Sequence, residues 1–573
     1  MSTLLQCYRV SHSAGTKPLF HELDLTIQSG DKIGIVGHNG SGKSTLLSIL
    51  NRSQPPDDGE IAFNNSLILE TVEQFINPRL TELTLFEALL EKLPTAERSF
   101  GEYRVSMLLE QLGFTAEEFQ YHVDSISGGQ QNRLMFARAV INDPNLVLFD
   151  EPTNHLDLAT ILLFEDFLKR SLTAGFVIIS HDRQFLDSVT NRTLFLRDER
   201  LYSFNLPYGQ AKEKLAAQDE AALATRNAEE KTISGLKTSA KRLALWGKVY
   251  DNEKLARKAK SMEKRIAKLE DVKTFVSKGS NLKLTLDVSS SRANRMVQIE
   301  DSWIKAPGYD AADLFYIEDF FIRPGERVAL LGINGVGKTT LIKQMIDHYT
   351  EDQGGDRIRF NPQCRIGYYD QELEMLDKRK SLVATLSTHC SGSESDLKSA
   401  LIHAGFPYPD LDKKVAVLSG GERARLMFLI IKLNQPNFLI LDEPTNHIDI
   451  QGKEELEAQI LESNATVLIT SHDRRFVDNI AARYLVIDKG KMTEIHDPND
   501  YYRSDGSRIK VTKNFPRPTN TQIPASEDEI LQQIIDLEAK LAADTKRKPK
   551  HQKTHLQQQW RKEIERLNGL LRL

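Results

Sequence analysis

Cysteine is scarce. Cys7, Cys364 and Cys390 are the whole complement of a 573-residue chain, odd in number and without paired spacing. That pattern excludes a disulfide framework and a cysteine-built metal site, and it fits a reducing compartment, where the thiols are structurally incidental. Long apolar runs are missing too. No stretch approaches the roughly 20 apolar residues that cross a bilayer. The opening Met1-Ser2-Thr3-Leu4-Leu5-Gln6 lacks the charged-then-apolar pattern of a secretory signal. A cytoplasmic chain without a membrane domain is expected. Charge of one sign is also absent in bulk, since 75 Lys and Arg stand against 80 Asp and Glu, a net of −5. No whole-molecule field draws in nucleic acid or membrane, so any basic surface must be local. The length implies about three or four units of ordinary domain size.

What is present is a repeat. Gly37-His38-Asn39-Gly40-Ser41-Gly42-Lys43-Ser44, followed by Thr45, is a glycine-rich phosphate loop. Gly332-Ile333-Asn334-Gly335-Val336-Gly337-Lys338-Thr339, followed by Thr340, is another. Each precedes a Ser-Gly-Gly turn, Ser127-Gly128-Gly129-Gln130 and then Ser419-Gly420-Gly421-Glu422. Each then meets an acid pair, Asp150-Glu151 or Asp442-Glu443, and a histidine, His181 or His472. Lys43 and Lys338 are 295 residues apart, Glu151 and Glu443 292, and His181 and His472 291. Four elements keeping nearly one offset mark a tandem duplication.

Around the first loop, Lys32-Ile33-Gly34-Ile35-Val36 reads as a strand, and a helix begins near Lys43. Strand, loop and helix form the context that a phosphate loop requires. Leu146-Val147-Leu148-Phe149 and Phe176-Val177-Ile178-Ile179 read as buried parallel strands with acids or His at their ends. Val328 to Leu331, Phe438 to Leu441 and Val467 to Thr470 repeat them. The fold class is α/β, with one phosphate-loop domain at 1–204 and its copy at 286–503. Between them, 205–285 is rich in Ala, Lys, Glu and Leu, and its helical stretches, Leu215–Ala240 and Glu253–Val272, contain no proline. A helical hairpin is expected there, broken near 246–252, with arms of about 30 residues reaching about 45 Å. Residues 504–527 read as a flexible linker, and 528–573 as a C-terminal coiled-coil hairpin.

The residue types state the chemistry. Loop N–H groups and a helix N-terminus bind phosphate. Lys43 and Lys338 supply fixed positive charge at the β- and γ-phosphates of ATP, and Ser44 and Thr339 give hydroxyls to Mg²⁺. Asp150 and Asp442 hold Mg²⁺, directly or through water. Glu151 and Glu443 accept a proton from the attacking water, and His181 and His472 reach the γ-phosphate. The Ser-Gly-Gly turns offer a second N–H-rich helix entrance for phosphate.

On the two Glu-Pro-Thr-Asn-His-(Leu/Ile)-Asp blocks at 151–157 and 443–449, each followed by Ser-His-Asp-Arg, the chain resembles the ABC-F family. These are soluble twin ATP-binding cassette ATPases that act on the ribosome, and the resemblance covers about 1–503. It implies head-to-tail cassettes within one monomeric chain. Lys43 would then share a nucleotide with Ser419 to Glu422, and Lys338 another with Ser127 to Gln130. It implies Asp157 and Asp449 as interface residues, and Gln74 and Gln371 as ligands of Mg²⁺ and water. Tyr309 would stack on adenine, where the first copy has Ala14 with His12 nearby.

From Lys231 to Lys268, twelve Lys and Arg face three Asp and Glu, a local net of +9 around Trp246 and Tyr250. Such a surface suits phosphate backbone and base stacking. The resemblance makes it a tRNA-interaction motif placed near the P-site tRNA and large-subunit rRNA of the ribosome. Translation regulation, rescue of stalled ribosomes and antibiotic resistance by ribosome protection all stay open. So do two other classes, the ATPase subunit of an exporter and a DNA-binding repair ATPase.

Overall fold

The computed structural model describes residues 2–503 except 73–75, 99–100, 155, 251–252, 272, 275–293, 308–311, 351–356, 447 and 464. The chain divides into two units, Met1–Lys510 and Val511–Leu573. The expected linker at 504–527 and coiled-coil hairpin at 528–573 lie outside the described residues.

The first half runs β1 (Thr3–Ala14), β2 (Lys17–Gln28), β3 (Lys32–Val36), α1 (Lys43–Leu50), β4 (Asp58–Phe63), β5 (Leu69–Thr71), α2 (Leu85–Lys92), α3 (Glu102–Gln111) and α4 (Gly128–Val140). It continues through β6 (Leu146–Asp150), α5 (Leu158–Arg170), β7 (Gly175–Ile179), α6 (Arg183–Val189), β8 (Arg192–Arg197) and β9 (Arg200–Phe204). Strands β5-β6-β7-β3-β8-β9 form one sheet, parallel until β9, beside an antiparallel sheet β2-β1-β4. The central strands are apolar on both faces because both are covered. Leu146 and Leu148 pack with Leu5, Ile27 and Leu50 on one side. Val147 and Phe149 meet Phe136, Phe164 and Phe176 on the other.

Two helices follow, α7 (Tyr208–Val249) and α8 (Glu253–Asp271). The arms are unequal, 42 and 19 residues, rather than the expected 30 or so each. The first arm is long because its root belongs to the core of the first half: Tyr208, Ala211 and Leu215 are buried there. Farther out, Ile233, Ala240 and Ile266 form a small core between the arms. Thr274 closes the base through Glu229, donating its N–H at 2.9 Å and its hydroxyl at 2.7 Å.

The second half runs β10 (Val297–Ile299), β11 (Ser302–Lys305), β12 (Asp313–Ile317), β13 (Phe320–Ile322), β14 (Arg327–Leu331), α9 (Lys338–Thr350), β15 (Ile358–Phe360), β16 (Ile366–Tyr369), α10 (Leu382–His389) and α11 (Glu394–His403). It ends with α12 (Gly420–Leu433), β17 (Phe438–Asp442), α13 (Ile450–Glu462), β18 (Thr466–Thr470), α14 (Arg474–Ile480), β19 (Arg483–Asp488), β20 (Lys491–Ile495) and α15 (Pro498–Arg503). Its large sheet, β11-β12-β20-β19-β14-β18-β17-β16, repeats the first order over six strands. Both phosphate-loop strands, β3 and β14, are central. Their C-terminal ends open toward the other half.

The halves are held by reciprocal buried ion pairs. Arg183 of α6 grips Glu457 of α13, and Arg474 of α14 grips Glu165 of α5. Ile450 enters the apolar cluster of the first half. Lys212, at the root of α7, pairs with Glu454. Removing one member of a buried pair costs about 3–5 kcal/mol, because the other is left uncompensated. Glu457→Ala should therefore lower the melting temperature markedly, and Arg183→Ala similarly. The double variant should lose little more than either single one. Strictly additive losses in a thermal melt would show that the pair is not coupled.

Candidate active sites

Each phosphate loop is a turn that only small residues fit. A Cβ on Gly37 would stand 2.4 Å from the Leu196 carbonyl oxygen and 2.7 Å from Ser41 Oγ. Gly42 has φ 95° and occupies the N-cap of α1, a conformation costly for any side chain. Lys43 Nζ donates to the carbonyls of Gly37 (2.8 Å) and His38 (3.2 Å). Lys338 Nζ does the same to Gly332 (2.6 Å) and Ile333 (3.1 Å). Both lysines are buried, which pushes them down, while Glu151 and Asp449 oppose this at Lys43 and Glu443 and Asp442 at Lys338. Gly40, Ser41 and Thr45 complete the first loop and the start of its helix. Gly335, Val336, Gly337 and Thr340 do so in the second.

Asp150 ends β6 and is hydrogen-bonded to Ser44; burial raises its carboxyl. Asp442 ends β17, is raised in the same way, and is bonded to Thr339 and Thr470. Thr470 Oγ1 donates to Asp442 Oδ1 at 2.5 Å. Asp442 Oδ2 is buried with no hydrogen-bond partner.

The next residues turn back sharply. Glu151 and Glu443 both have φ 48°, a left-handed strain typical of functional positions. Their N–H groups donate to the Ile179 and Thr470 carbonyls at 3.0 Å, pinning the turn to the neighbouring strand. Glu151 Oε2 accepts the His181 N–H at 3.2 Å, and its Oε1 lies 3.1 Å from His181 Nε2. The matching distances at Glu443 and His472 are 3.3 and 3.4 Å. Burial lifts Glu151 to about 7, with Lys43 opposing and Asp150 adding; it also raises Glu443. The same burial pushes His472 down to about 3 and His181 well below its usual value. In each site burial thus disfavours the charged form of both groups, raising the glutamate and lowering the histidine.

Both Ser-Gly-Gly turns are capping boxes. Ser127 Oγ accepts the Gln130 N–H (3.3 Å), and Gln130 Oε1 accepts the Ser127 N–H (3.0 Å), opening α4. Ser419 and Glu422 open α12 likewise, at 3.3 and 2.8 Å. Gly128, Gly129, Gly420 and Gly421 form the helix entrances.

The halves meet at these loops. The Asn39 N–H donates to Asp449 Oδ2 at 2.9 Å, and the Asn334 N–H bonds reciprocally to Asp157. A cavity of about 320 Å³ joins Lys338, Thr339, Gln371, Asp442, Glu443 and His472 to Asn154, His181 and Asp182 of the first half. Ser127 to Gln130 do not line it. Gln74 and Tyr309 lie outside the described residues. His12 is buried against Phe20, with Gln54 at 2.8 Å and Asp57 at 3.1 Å. It is a structural residue rather than an open platform for a base.

Reasoning from motifs quoted Arg183 and Arg474 only as the ends of the Ser-His-Asp-Arg blocks, without a role at the interface, and missed Glu165, Glu457 and Lys453. A signal existed: Glu165 and Glu457 keep the 292-residue offset, and Arg183 and Arg474 that of 291.

Known proteins resemble this chain in sequence and fold. An ABC transporter family model matches residues 20–154 and 318–446. ABC transporter F family member 5 of Arabidopsis thaliana is 31% identical over 526 residues, covering 83% of this chain and 74% of that one. The chain belongs to the ABC-F family. It is an ATPase whose cassettes bind ATP. Ribosome protection protein VmlR of Bacillus subtilis is 27% identical to this ABC-F chain over 538 residues, 89% of this chain and 92% of that one. In fold, the chain is similar to the archaeal ribosome recycling factor aABCE1, solved with ribosomal stalk protein aP1. That likeness has a TM-score of 0.58 at 18% identity and covers 86% and 92% of the two chains.

Gly37→Ala should force the first loop away from the Leu196 carbonyl oxygen. A misplacement of about 1 Å is worth roughly 100-fold in kcat/KM. Gly235→Ala, in α7 with nothing within 4 Å, should leave ATP turnover unchanged. Equal turnover in both variants would show that the close approach at Gly37 is dispensable.

Proposed function

We propose that this ABC-F ATPase acts on the ribosome, and that ATP-driven closure of its cassettes carries the α7–α8 hairpin to the P-site tRNA and neighbouring rRNA. The observation that carries this reading is the hairpin end. Lys241, Arg242, Lys248, Lys254, Arg257, Lys258 and Lys260 are all exposed there. Trp246, Val249 and Tyr250 are exposed among them, Tyr250 at 72%, and the Arg242 guanidinium lies 5.9 Å from the Trp246 ring centre. Exposed aromatics amid cations have no core to serve, but they suit a phosphate backbone with an unstacked base or tRNA end. The relationship to VmlR, named for ribosome protection, supports the same partner. Among the described residues no helix is long and apolar enough to cross a membrane.

In the proposed cycle the two nucleotides sit between cassettes. Lys43 and Lys338 meet the β- and γ-phosphates. Ser44 with Asp150, and Thr339 with Asp442, fit Mg²⁺, since each pairs a hydroxyl with a buried carboxylate at one strand end. When bound there, Mg²⁺ would supply positive charge to offset that of the transferring phosphoryl group. Glu151 and Glu443 accept the proton of the attacking water. His181 and His472, kept neutral, present an N–H to a γ-phosphate oxygen. Gln371 and Gln74 orient the water, and Tyr309 stacks on the second adenine. Ser127 to Gln130 and Ser419 to Glu422 close over the phosphates from the opposite cassette. Hydrolysis then releases the interface and the hairpin.

A Glu151→Gln/Glu443→Gln double variant should trap the ATP-closed form and co-sediment with ribosomes. Within that background, Lys241→Ala/Arg242→Ala/Lys248→Ala should weaken ribosome binding. The slope of log affinity against log salt should flatten by about 0.9 for each phosphate no longer neutralised. A trapped protein found in ribosome-free fractions, recovered instead with membranes or bound to duplex DNA, would overturn the ribosomal reading.

A further inference from the structure

The two halves repeat each other closely, yet one buried position breaks the pattern with a charge. Lys453, on the first turn of α13, corresponds to Ile161 on α5, 292 residues earlier. Both are buried, at 5% and 3% exposure, and both line the same inter-cassette cavity. Ile161 presents an apolar surface there. Lys453 instead crosses the interface: its Nζ donates to the carbonyl of His181 at 2.9 Å and to Asp473 Oδ2 at 2.9 Å.

We infer that Lys453 is a positioning residue for the first ATP site, holding the His181 loop from the opposite cassette, and that it makes the two sites unequal. His181 has its backbone held at both ends, with its N–H on Glu151 Oε2 and its carbonyl on Lys453 Nζ. The carbonyl bond forms only while the cassettes are together, so order in that loop depends on closure. A buried ammonium is retained only where its partners are fixed. Here they are a carbonyl of one cassette and a carboxylate of the other. Asp473 is itself tied down, capping α14 through the Phe476 N–H at 3.0 Å and lying 3.8 Å from Arg183. At the equivalent place near His472 the side chain is that of Ile161, which has no donor to offer. The inference rests on the assignment of His181 and Glu151 to one composite site and of His472 and Glu443 to the other.

The test separates the sites in the full chain. Glu443→Gln leaves the first site to hydrolyse ATP, and Glu151→Gln leaves the second. Lys453→Met should lower kcat about tenfold in the Glu443→Gln background while KM for ATP stays within about twofold. In the Glu151→Gln background the loss should be at most about threefold, since there Lys453 meets the His472 segment only through the side chain of Asp473. Lys453→Arg, which keeps a buried donor, should restore at least about half of the missing turnover. A thermal melt of each protein reports whether the interface is intact. Equal losses in both backgrounds would reduce Lys453 to an interface residue, and no loss in either would remove it from the mechanism; both overturn the inference alone. If neither glutamine background hydrolyses ATP before Lys453 is changed, the reading of two separately competent sites has failed, and the inference fails with it.

Discussion

The arginine–carboxylate pairs across the cassette interface govern everything built around them. Arg183 and Arg474 lie two residues beyond the histidines of the two sites, on the segment that carries the imidazole. Each guanidinium is buried and gripped by a glutamate of the other half. A buried cation tolerates no intermediate state: it is paired in a dry interface or it is hydrated. Catalytic order and cassette contact therefore rise and fall together. The reciprocal bonds of Asn39 to Asp449 and Asn334 to Asp157 extend this linkage to the phosphate loops. The segments that carry the two histidines are thus tied from both sides, by the glutamate of their own half and by the arginine pair across the interface.

Some of this was legible in the sequence because it is local. The motif strands were readable because burial on both faces leaves unbroken apolar runs, as in β6, β7, β17 and β18. The antiparallel sheet was not, since β1 and β2 are interrupted by irregular register and left-handed residues at Arg9 and Glu22. Bulges of that kind break the alternation that announces a strand. The length of α7 escaped for a different reason. Its buried residues face one partner at Tyr208 to Leu215 and another at Ile233 to Ala240, so no single stripe runs its length. The candidate site residues were named from short motifs. The pairs Arg183–Glu457 and Arg474–Glu165, separated by 274 and 309 residues, were invisible to any motif.

Duplication has kept the backbones more faithfully than the side chains. Glu151 and Glu443 share one φ value, and both Ser-Gly-Gly turns share one capping geometry. One difference lies at the helix entrances. Gln130 caps α4 with a neutral amide, whereas Glu422 caps α12 with a carboxylate. A negative charge at a helix N-terminus stabilises the helix, so α12 has a support that α4 lacks. Two equal backbones thus carry unequal charge at their helix entrances.

The long first arm of the hairpin turns small movements into large ones. At 1.5 Å per residue, the 42-residue α7 is about 63 Å long, and its root is clamped to both cassettes through Tyr208, Arg197–Asp219 and Lys212–Glu454. Beyond Asp219 about 45 Å of helix projects, and a tilt of about 5° there sweeps the far end through about 4 Å. A small change of angle at the root is thus multiplied into a displacement of molecular size at the exposed tip.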